Sequence, residues 1–222
     1  MQTFIPFHAP ALYDRAKKSA HRHEGVSTAV LCHATIEALL NDLTTWLGVA
    51  IDHNVSCQRE KNEKNIFGHR KNNITCITNL HKITLLETDL HTLLAGAERE
   101  STSHKVLLAA NKLSNKNWSN GATPLQEFIL LEKIRHEIVH TKGNTLTVDG
   151  GKISGYPTVV QTLIKSKKIE GPDSFVNWLS LLDSQAFSEF CINSTAALYT
   201  SFINLLPDTY MSEEFKHDAR LS

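Results

Sequence analysis

The sequence has no surplus of charge, since its 23 Lys and Arg residues are matched by 23 Asp and Glu residues. A balanced chain creates no global field that attracts nucleic acid or a membrane surface, so such binding must come from local clusters. No apolar run reaches the length of a transmembrane helix, and the N-terminus lacks the basic and apolar regions of a signal peptide. We therefore expect a cytoplasmic protein that does not enter a membrane.

Cysteine is also sparse, and none of its four positions forms a C-x-x-C pair: Cys32, Cys57, Cys76 and Cys191. In a chain of 222 residues this usage favours reduced thiols over a disulfide framework. Cys57, Cys76 and His81 could together bind a metal ion, but their spacing matches no zinc pattern. We expect neither a metal site nor a cofactor.

What the sequence does contain is helical periodicity within a composition that is 41% hydrophobic, enough for a core. In the segment 11–50, apolar residues recur at spacings of three and four, which marks one buried helix face. Similar stripes cover 77–94, 101–113 and 186–206, and shorter helices are expected near 157–167 and 173–184. The pattern predicts an all-α bundle of long antiparallel helices that forms a single domain over 1–222.

Several segments break this pattern. We predict an irregular N-terminal arm at 1–10, a polar loop at 52–75 and a polar C-terminal tail at 208–222. Gly25 is expected to bend or divide the first helical stretch. Alternating residues around Asp149-Gly150-Gly151 predict a small β-hairpin inserted near 146–155.

The strongest helix signal precedes a cluster of cations. Thr123 is a good N-cap, Pro124 suits the first helical position, and Gln126 has the capping-box spacing, so a helix should run to His140 or Thr141. Its last turns read Arg135, His136, then His140. Such cations can simply complement the negative end of the helix dipole.

Arg135 also lies at the border of the apolar stripe, where a guanidinium needs polar partners. Glu132 is the nearest acid on the same helix. On the first long helix, His33, Glu37, Asn41 and Thr44 form a polar line at spacings of four, four and three. This line is either the solvent face of an amphipathic helix or the partner of Arg135, in which case Glu37 forms the ion pair.

The segments "RHEIVH" and "ATIEALLNDL" together resemble the HEPN superfamily, all-α domains found in toxins, phage-defence proteins and RNA-processing factors. Its motif is R-φ-x-x-x-H, which Arg135, His136 at φ and His140 match. Asn is more usual at φ than His. A second match in spacing, Arg99 to His104, falls across a predicted helix boundary, and we interpret it as accidental.

The resemblance implies a HEPN-like bundle and a metal-independent RNA endonuclease, acting as a toxin or antiviral effector. His140 would perform acid–base chemistry and Arg135 would stabilise the phosphate, while His136 assists and Glu37 holds Arg135. Two motifs usually meet across a two-fold axis in this family, which implies a homodimer. An antitoxin or regulatory protein is a further expected partner. The alternative is a non-catalytic HEPN module that binds RNA, a nucleotide or a protein.

Basic residues elsewhere could contact RNA. One group lies in the predicted polar loop: Lys61, Lys64, His69, Arg70 and Lys71. The other is the "KSKK" segment, which contains Lys165, Lys167 and Lys168. Both could equally be solvated surface, and this second interpretation is slightly favoured for "KSKK".

Overall fold

The computed structural model describes residues 7–67, 83–114, 117–141, 145–149, 152–172, 174 and 176–221, with the backbone alone at 53–67, 148–149 and 152. It is mostly helical, which confirms the predicted all-α class. The helices are α1 (Ala9–His21), α2 (Gly25–Phe67), α3 (Leu85–Gly96), α4 (Thr102–Leu113), α5 (Leu125–Val139), α6 (Thr158–Lys165), α7 (Trp178–Leu182), α8 (Gln185–Ile203) and α9 (Tyr210–Asp218).

Two three-residue strands lie within the segment predicted to form a hairpin. β1 (Thr147–Asp149) and β2 (Lys152–Ser154) pair antiparallel, with Val148 opposite Ile153. Residues 150 and 151, where the turn was predicted, lie outside the described residues.

The centre of the fold is α2, which packs against α1, α3, α5 and α8. Its predicted apolar stripe is buried, and the buried members are Ile36, Leu39, Leu40, Leu43, Leu47 and Ala50. Trp46 is only partly buried, and its indole N–H donates to the Met211 carbonyl at 3.0 Å. Neither α2 nor any other helix in the described ranges is long and apolar enough to cross a membrane.

Gly25 begins α2 at a close crossing with α7. A Cβ at this position would lie 1.7 Å from the carbonyl oxygen of Leu182, so only glycine fits there. The chain also turns just before it, since His23 has a left-handed φ of 57°. The predicted division of the first helical stretch at Gly25 is thus confirmed.

The predicted N-terminal arm is shorter than expected, because α1 already begins at Ala9. The carboxylate of Asp42, on α2, accepts hydrogen bonds from the backbone N–H groups of His8 at 2.8 Å and Ala9 at 3.0 Å. These are orphan donors of a helix start, and a side chain from another helix satisfies them. Residues 1–6 lie outside the described residues.

The predicted polar loop at 52–75 is wrong for its first part, because α2 continues to Phe67. Residues 52–67 contain no glycine or proline, and in the part 58–64 every residue but one is Gln, Glu, Lys or Arg. These are good helix formers, so a polar segment of this composition can extend a helix that packing has already nucleated. Residues 68–75 lie outside the described part of the chain.

The predicted polar tail at 208–222 is also wrong, because it contains α9. Thr209 caps this helix, while Met211 and Phe215, four residues apart, bury one face of it. The carboxylate of Glu87, in the first turn of α3, accepts hydrogen bonds from the hydroxyls of Thr209 and Ser212. One buried acid therefore joins the starts of α3 and α9.

The helix that carries the cation cluster starts one residue later than predicted. Pro124 occupies the N-cap of α5 and no side chain caps the helix, so the prediction of Thr123 as N-cap is wrong. The backbone N–H of Gln126 donates to the Ala122 carbonyl at 3.0 Å. The carbonyl of the preceding turn thus accepts the hydrogen bond of a helix-start N–H group that a capping side chain often accepts.

Candidate functional site

The end of α5 presents two exposed imidazoles. The rings of His136 and His140 are 4.6 Å apart between centroids and tilted by 50°. Leu131 and Ile134 are fully buried and hold the helix on the core, so the opposite side of its last turn faces outward. Arg135 is half-buried beside this pair, in agreement with its predicted position at the border of the apolar stripe.

Val139 is unusual among the apolar residues of this helix, because 51% of its surface is exposed. It lies between the two histidines in sequence and is the last residue of α5. An exposed β-branched residue beside exposed imidazoles gives the helix end both an apolar and a titratable part.

His33 of α2 is a buried polar residue that packs against α5. It is 6% exposed, and its ring stacks on Phe128 of α5 at 5.7 Å between centroids. Its Nε2 lies 3.5 Å from Oε1 of Glu132, and its Nδ1 lies 3.8 Å from Oε2 of Glu37. His33 thus lies between one carboxylate of its own helix and one of α5.

Glu132 is the junction of this cluster. It accepts hydrogen bonds from the backbone N–H of Ser103 at 3.2 Å and from the Ser103 hydroxyl. Burial alone raises the pKa of Glu132, but the hydrogen bonds from His33 and Ser103 outweigh burial and leave the pKa below its ordinary value. A single ionised carboxylate on α5 therefore ties that helix to α2 and to the start of α4. We call His33, Glu132 and Ser103 the Glu132 clamp.

The expected ion pair between Glu37 and Arg135 does not form. The partner of Glu37 is His33, and Arg135 makes no ion pair with any of the described residues. Arg135 follows Glu132 by three residues and is turned by about 60° from the carboxylate that faces α2. The carboxylate of Glu132 contacts His33 and Ser103, and it forms no ion pair with Arg135 either.

The polar line of α2 divides into a buried and an exposed part. His33 is enclosed by α5, whereas Asn41 is exposed and lines a surface concavity of about 450 Å³ with Thr44, Glu98 and Lys105. The interpretation as a solvent face therefore holds for the Asn41 end, whereas the interpretation as the partner of Arg135 holds at neither end.

The predicted RNA-binding residues are only partly described. Lys61 and Lys64 belong to α2, where only the backbone is described. His69, Arg70 and Lys71 lie outside the described residues. In the second group, Lys168 is 3.1 Å from Oε1 of Glu127 and lies over the Phe190 ring at 4.6 Å. Lys165 and Lys167 are exposed. An ion-paired lysine is less available to a phosphate than a solvated one.

His136 also lines a cavity of about 470 Å³ between the start of α4, α5 and α6. Glu132, one helical turn before it, lies on the same wall, together with Lys133, Glu137 and Thr162. The spacing of four between Glu132 and His136 could have indicated this shared face from the sequence. The contacts of Glu132 with Ser103 and His33 could not, because they depend on how three helices pack.

The competing motif match differs in its setting. Arg99 precedes α4 and His104 lies in its first turn, so this pair spans a helix boundary, as predicted. In the described ranges, no three His, Cys, Asp or Glu side chains are grouped to hold a metal ion. Of the residues considered for zinc, the Cys57 side chain, Cys76 and His81 lie outside those ranges.

No family model matches the chain, and comparisons with curated proteins and with solved structures gave no match either. The HEPN resemblance therefore rests on the segments "RHEIVH" and "ATIEALLNDL" alone, and it enters below as part of a proposal.

Proposed function

We propose that this protein is a HEPN-type, metal-independent RNA endonuclease that acts as a toxin or antiviral effector in the cytoplasm. The observation that supports this proposal best is the pair of exposed imidazoles, 4.6 Å apart, beside Arg135 at the end of α5. A helix whose other face is buried presents here the proton-transfer groups and the permanent cation that RNA cleavage needs.

The chemistry follows from these groups. An imidazole accepts the proton of the ribose 2′-hydroxyl, whose oxygen attacks the adjacent phosphorus and forms the new P–O bond. A second, protonated imidazole donates its proton to the departing 5′-oxygen as that P–O bond breaks. The products are a 2′,3′-cyclic phosphate and a 5′-hydroxyl. Arg135 would bind two oxygens of the phosphorane at once, which lowers its energy.

In this proposal two copies of the chain complete the site across a two-fold axis. The exposed Val139 supports it, because an apolar side chain next to the histidines would be covered by the second copy. Each chain would then contribute Arg135 and His140, with His136 to orient or assist proton transfer. Glu37 acts on His33 and not on Arg135 in this scheme.

The test is cleavage of a single-stranded RNA in excess chelator by the wild type, Arg135→Ala and His140→Ala. We expect each substitution to slow cleavage by at least about 100-fold, the usual effect of losing an acid–base or charge-stabilising group. His217→Ala and Arg220→Ala are matched controls, since they remove the same residue types from exposed positions at the C-terminal end. Equal activity in Arg135→Ala and wild type would reject this site.

The second candidate is a non-catalytic HEPN module that binds RNA, a nucleotide or a protein. The lack of an ion pair for Arg135 among the described residues favours it, because such a guanidinium can bind an anion without taking part in chemistry. Intact RNA in every lane, at concentrations where the wild type is dimeric, together with RNA binding that Arg135→Ala abolishes, would favour this candidate.

A further inference from the structure

The cavity that His136 lines adjoins a second and larger cavity of about 780 Å³ on the same side of α5. The second cavity lies between α5, the start of α4 and the end of α6, and it extends to Phe190 of α8. The two cavities have four wall residues in common: Leu130, Glu132, Lys133 and Thr162. They therefore form one continuous concavity, which we call the α5 groove.

The α5 groove ends beside the candidate proton-transfer groups. Its wall residues on α5 range from Gln126 to Glu137, a length of about 16 Å at about 1.5 Å per residue. A stacked strand rises about 3.4 Å per nucleotide, so this length accommodates only a few nucleotides. Because His136 lies at one end of the groove, an RNA strand cleaved there would place a neighbouring nucleotide in the groove.

Glu132 gives the middle of the groove a charged hydrogen-bond acceptor. Burial raises its pKa, but the hydrogen bonds from His33 and Ser103 bring the pKa below its ordinary value, so the carboxylate is ionised at neutral pH. Its Oε1 contacts His33 and the Ser103 N–H, whereas its Oε2 accepts from the Ser103 hydroxyl alone among the described residues. A carboxylate oxygen can accept two hydrogen bonds, so Oε2 has the capacity for one more. The side chain remains 19% exposed, so a ligand in the groove can reach it.

An ionised carboxylate discriminates between nucleobases, because it accepts hydrogen bonds and cannot donate them. The exocyclic amino groups of cytosine, adenine and guanine donate to such a group, and the pairing of a glutamate or aspartate with the cytosine amine is well known. In uracil, the N–H of the pairing edge lies between two carbonyl oxygens, which a carboxylate repels. A base that contacts Glu132 is therefore favoured if it has an amino group.

Lys133 supplies a cation for a phosphate in the groove. Its side chain is exposed on the wall that the two cavities share, and it forms no ion pair with any residue that the structure describes. Two further acids line the groove: Glu127 pairs with Lys168 at 3.1 Å, and Glu137 opposes a phosphate close to His136. A phosphate contact fixes the register of a strand, and a base contact selects the sequence.

We propose that the α5 groove binds the nucleotide next to the scissile phosphate of a single-stranded RNA, and that Glu132 selects a base with an amino group over uracil. Glu132 accepts the amino N–H, Lys133 binds the phosphate of that nucleotide, and Leu130 packs against the base. Glu132 is then a specificity-determining residue that does not touch the reacting atoms. This inference rests on the proposed function, because it takes the end of α5 as the place of cleavage.

The test measures binding by fluorescence anisotropy with fluorescein-labelled octamers of cytidine, adenosine or uridine, each 2′-O-methylated throughout. The methyl group blocks the attacking oxygen, so binding is measured without cleavage. We expect the cytidine and adenosine octamers to bind the wild type about ten-fold more tightly than the uridine octamer, the discrimination that one good base contact provides.

Two variants separate base selection from the structural role of the Glu132 clamp. Glu132→Gln should reduce the preference to about two-fold, because a carboxamide can also donate to the uracil oxygens. Ser103→Ala is the matched control, since it removes a hydrogen bond of the clamp but leaves the carboxylate in the groove. Ser103→Ala should keep the wild-type preference even if its unfolding midpoint falls.

The role of Lys133 has a different signature. Lys133→Gln should weaken the binding of all three octamers to a similar extent, and it should reduce the slope of log affinity against log salt by about 0.7, the value for one phosphate of a single strand. Lys18→Gln is the control, because Lys18 is exposed on α1 and lines neither cavity. Its affinities and salt slope should match those of the wild type.

The proposal is overturned if the three octamers bind equally or not at all at high micromolar concentration, or if Glu132→Gln keeps the wild-type preference. An equal loss of preference in Ser103→Ala and Glu132→Gln would also overturn it, because the packing of α5 would then be the cause. Cleavage of RNA by a wild type that shows no base preference would reject this inference alone. A base preference that depends on Glu132, without any cleavage, would reject only the proposed endonuclease.

Discussion

At the scale of single residues, Glu132 determines how the end of α5 is held. Its carboxylate binds Ser103 of α4 and His33 of α2, and it lies one turn before His136 on a shared cavity wall. The stability of this contact depends on the ionised form of the acid, because both partners donate to it. The position of the candidate catalytic turn is thus linked to the charge of one partly buried group.

This linkage predicts a specific pH dependence for Glu132→Gln. The pKa of Glu132 is lower in the folded protein than its ordinary value of 4.5, so the unfolded chain binds more protons in this pH range. The stabilisation is present above that ordinary value and is lost as pH falls through the folded pKa. As pH falls below 4.5, wild-type stability should therefore decline more steeply than that of Glu132→Gln, measured by urea unfolding.

Glu137→Gln is the control for this measurement, because Glu137 lies on the same helix but forms no hydrogen bond or ion pair with Ser103 or His33. Its stability should follow the wild-type curve. Parallel curves for wild type and Glu132→Gln would show that the Glu132 clamp does not contribute in this way.

The sequence predicts the composition of the α5 end but not its contacts. Helical periodicity places Arg135 at the border of the stripe, and the structure agrees, because that placement depends only on one helix. The sequence predicted that Glu37 pairs with Arg135, whereas in the structure Glu37 pairs with His33. Which of these side chains face each other depends on the rotation of α2 against α5. Such rotations are set by the whole core, which a single periodic pattern does not encode.

At the scale of elements, Glu87 connects two helix starts that are far apart in the chain. It forms a capping box with Thr84 at the start of α3, and it accepts from Thr209 and Ser212 at the start of α9. Glu87 is 1% exposed, so each donor would be left without a partner if the carboxylate were removed.

We therefore expect Glu87→Ala to lower the free energy of unfolding by about 3 kcal/mol, through several unsatisfied donors. Glu213→Ala is the matched control on α9. Its acid is exposed and, among the residues that the structure describes, pairs only with Lys216, at 2.7 Å, so the substitution should cost less than about 1 kcal/mol. Urea unfolding at pH 7 measures both. Equal costs for the two variants would contradict the role given to Glu87.

Two elements differ from the sequence prediction for related reasons. The extension of α2 to Phe67 and the presence of α9 both concern polar segments, in which few apolar residues mark a buried face. In α9, the helix is held by two buried apolar residues four apart, by a capping threonine and by the hydrogen bonds that join its start to Glu87 of α3. Short stripes of this kind are ambiguous without knowledge of the surface that covers them.

At the scale of the whole molecule, the formal net charge is zero, so RNA binding must come from local groups and a completed site. In our proposal, a second copy of the chain would complete the site. The exposed end of α5, with Val139 between the two histidines, is where we expect the copies to meet.

Val139→Glu should therefore weaken dimerisation at least ten-fold, because a carboxylate would be buried in the interface without a partner. Tyr210→Glu is the control, since Tyr210 is 41% exposed and lies at the start of α9. Sedimentation velocity across a concentration series measures both. A wild type that stays monomeric at high concentration, or a Val139→Glu variant that dimerises normally, would contradict the two-fold arrangement.

The most direct test of the central claim is the chemistry of the ends produced from a defined RNA in excess chelator. The account predicts a 2′,3′-cyclic phosphate and a 5′-hydroxyl from the wild type, no cleavage at a site with a 2′-deoxy substitution, and at least about 100-fold slower cleavage by His140→Ala. Products with a 3′-hydroxyl and 5′-phosphate, or undiminished cleavage by His140→Ala, would contradict it.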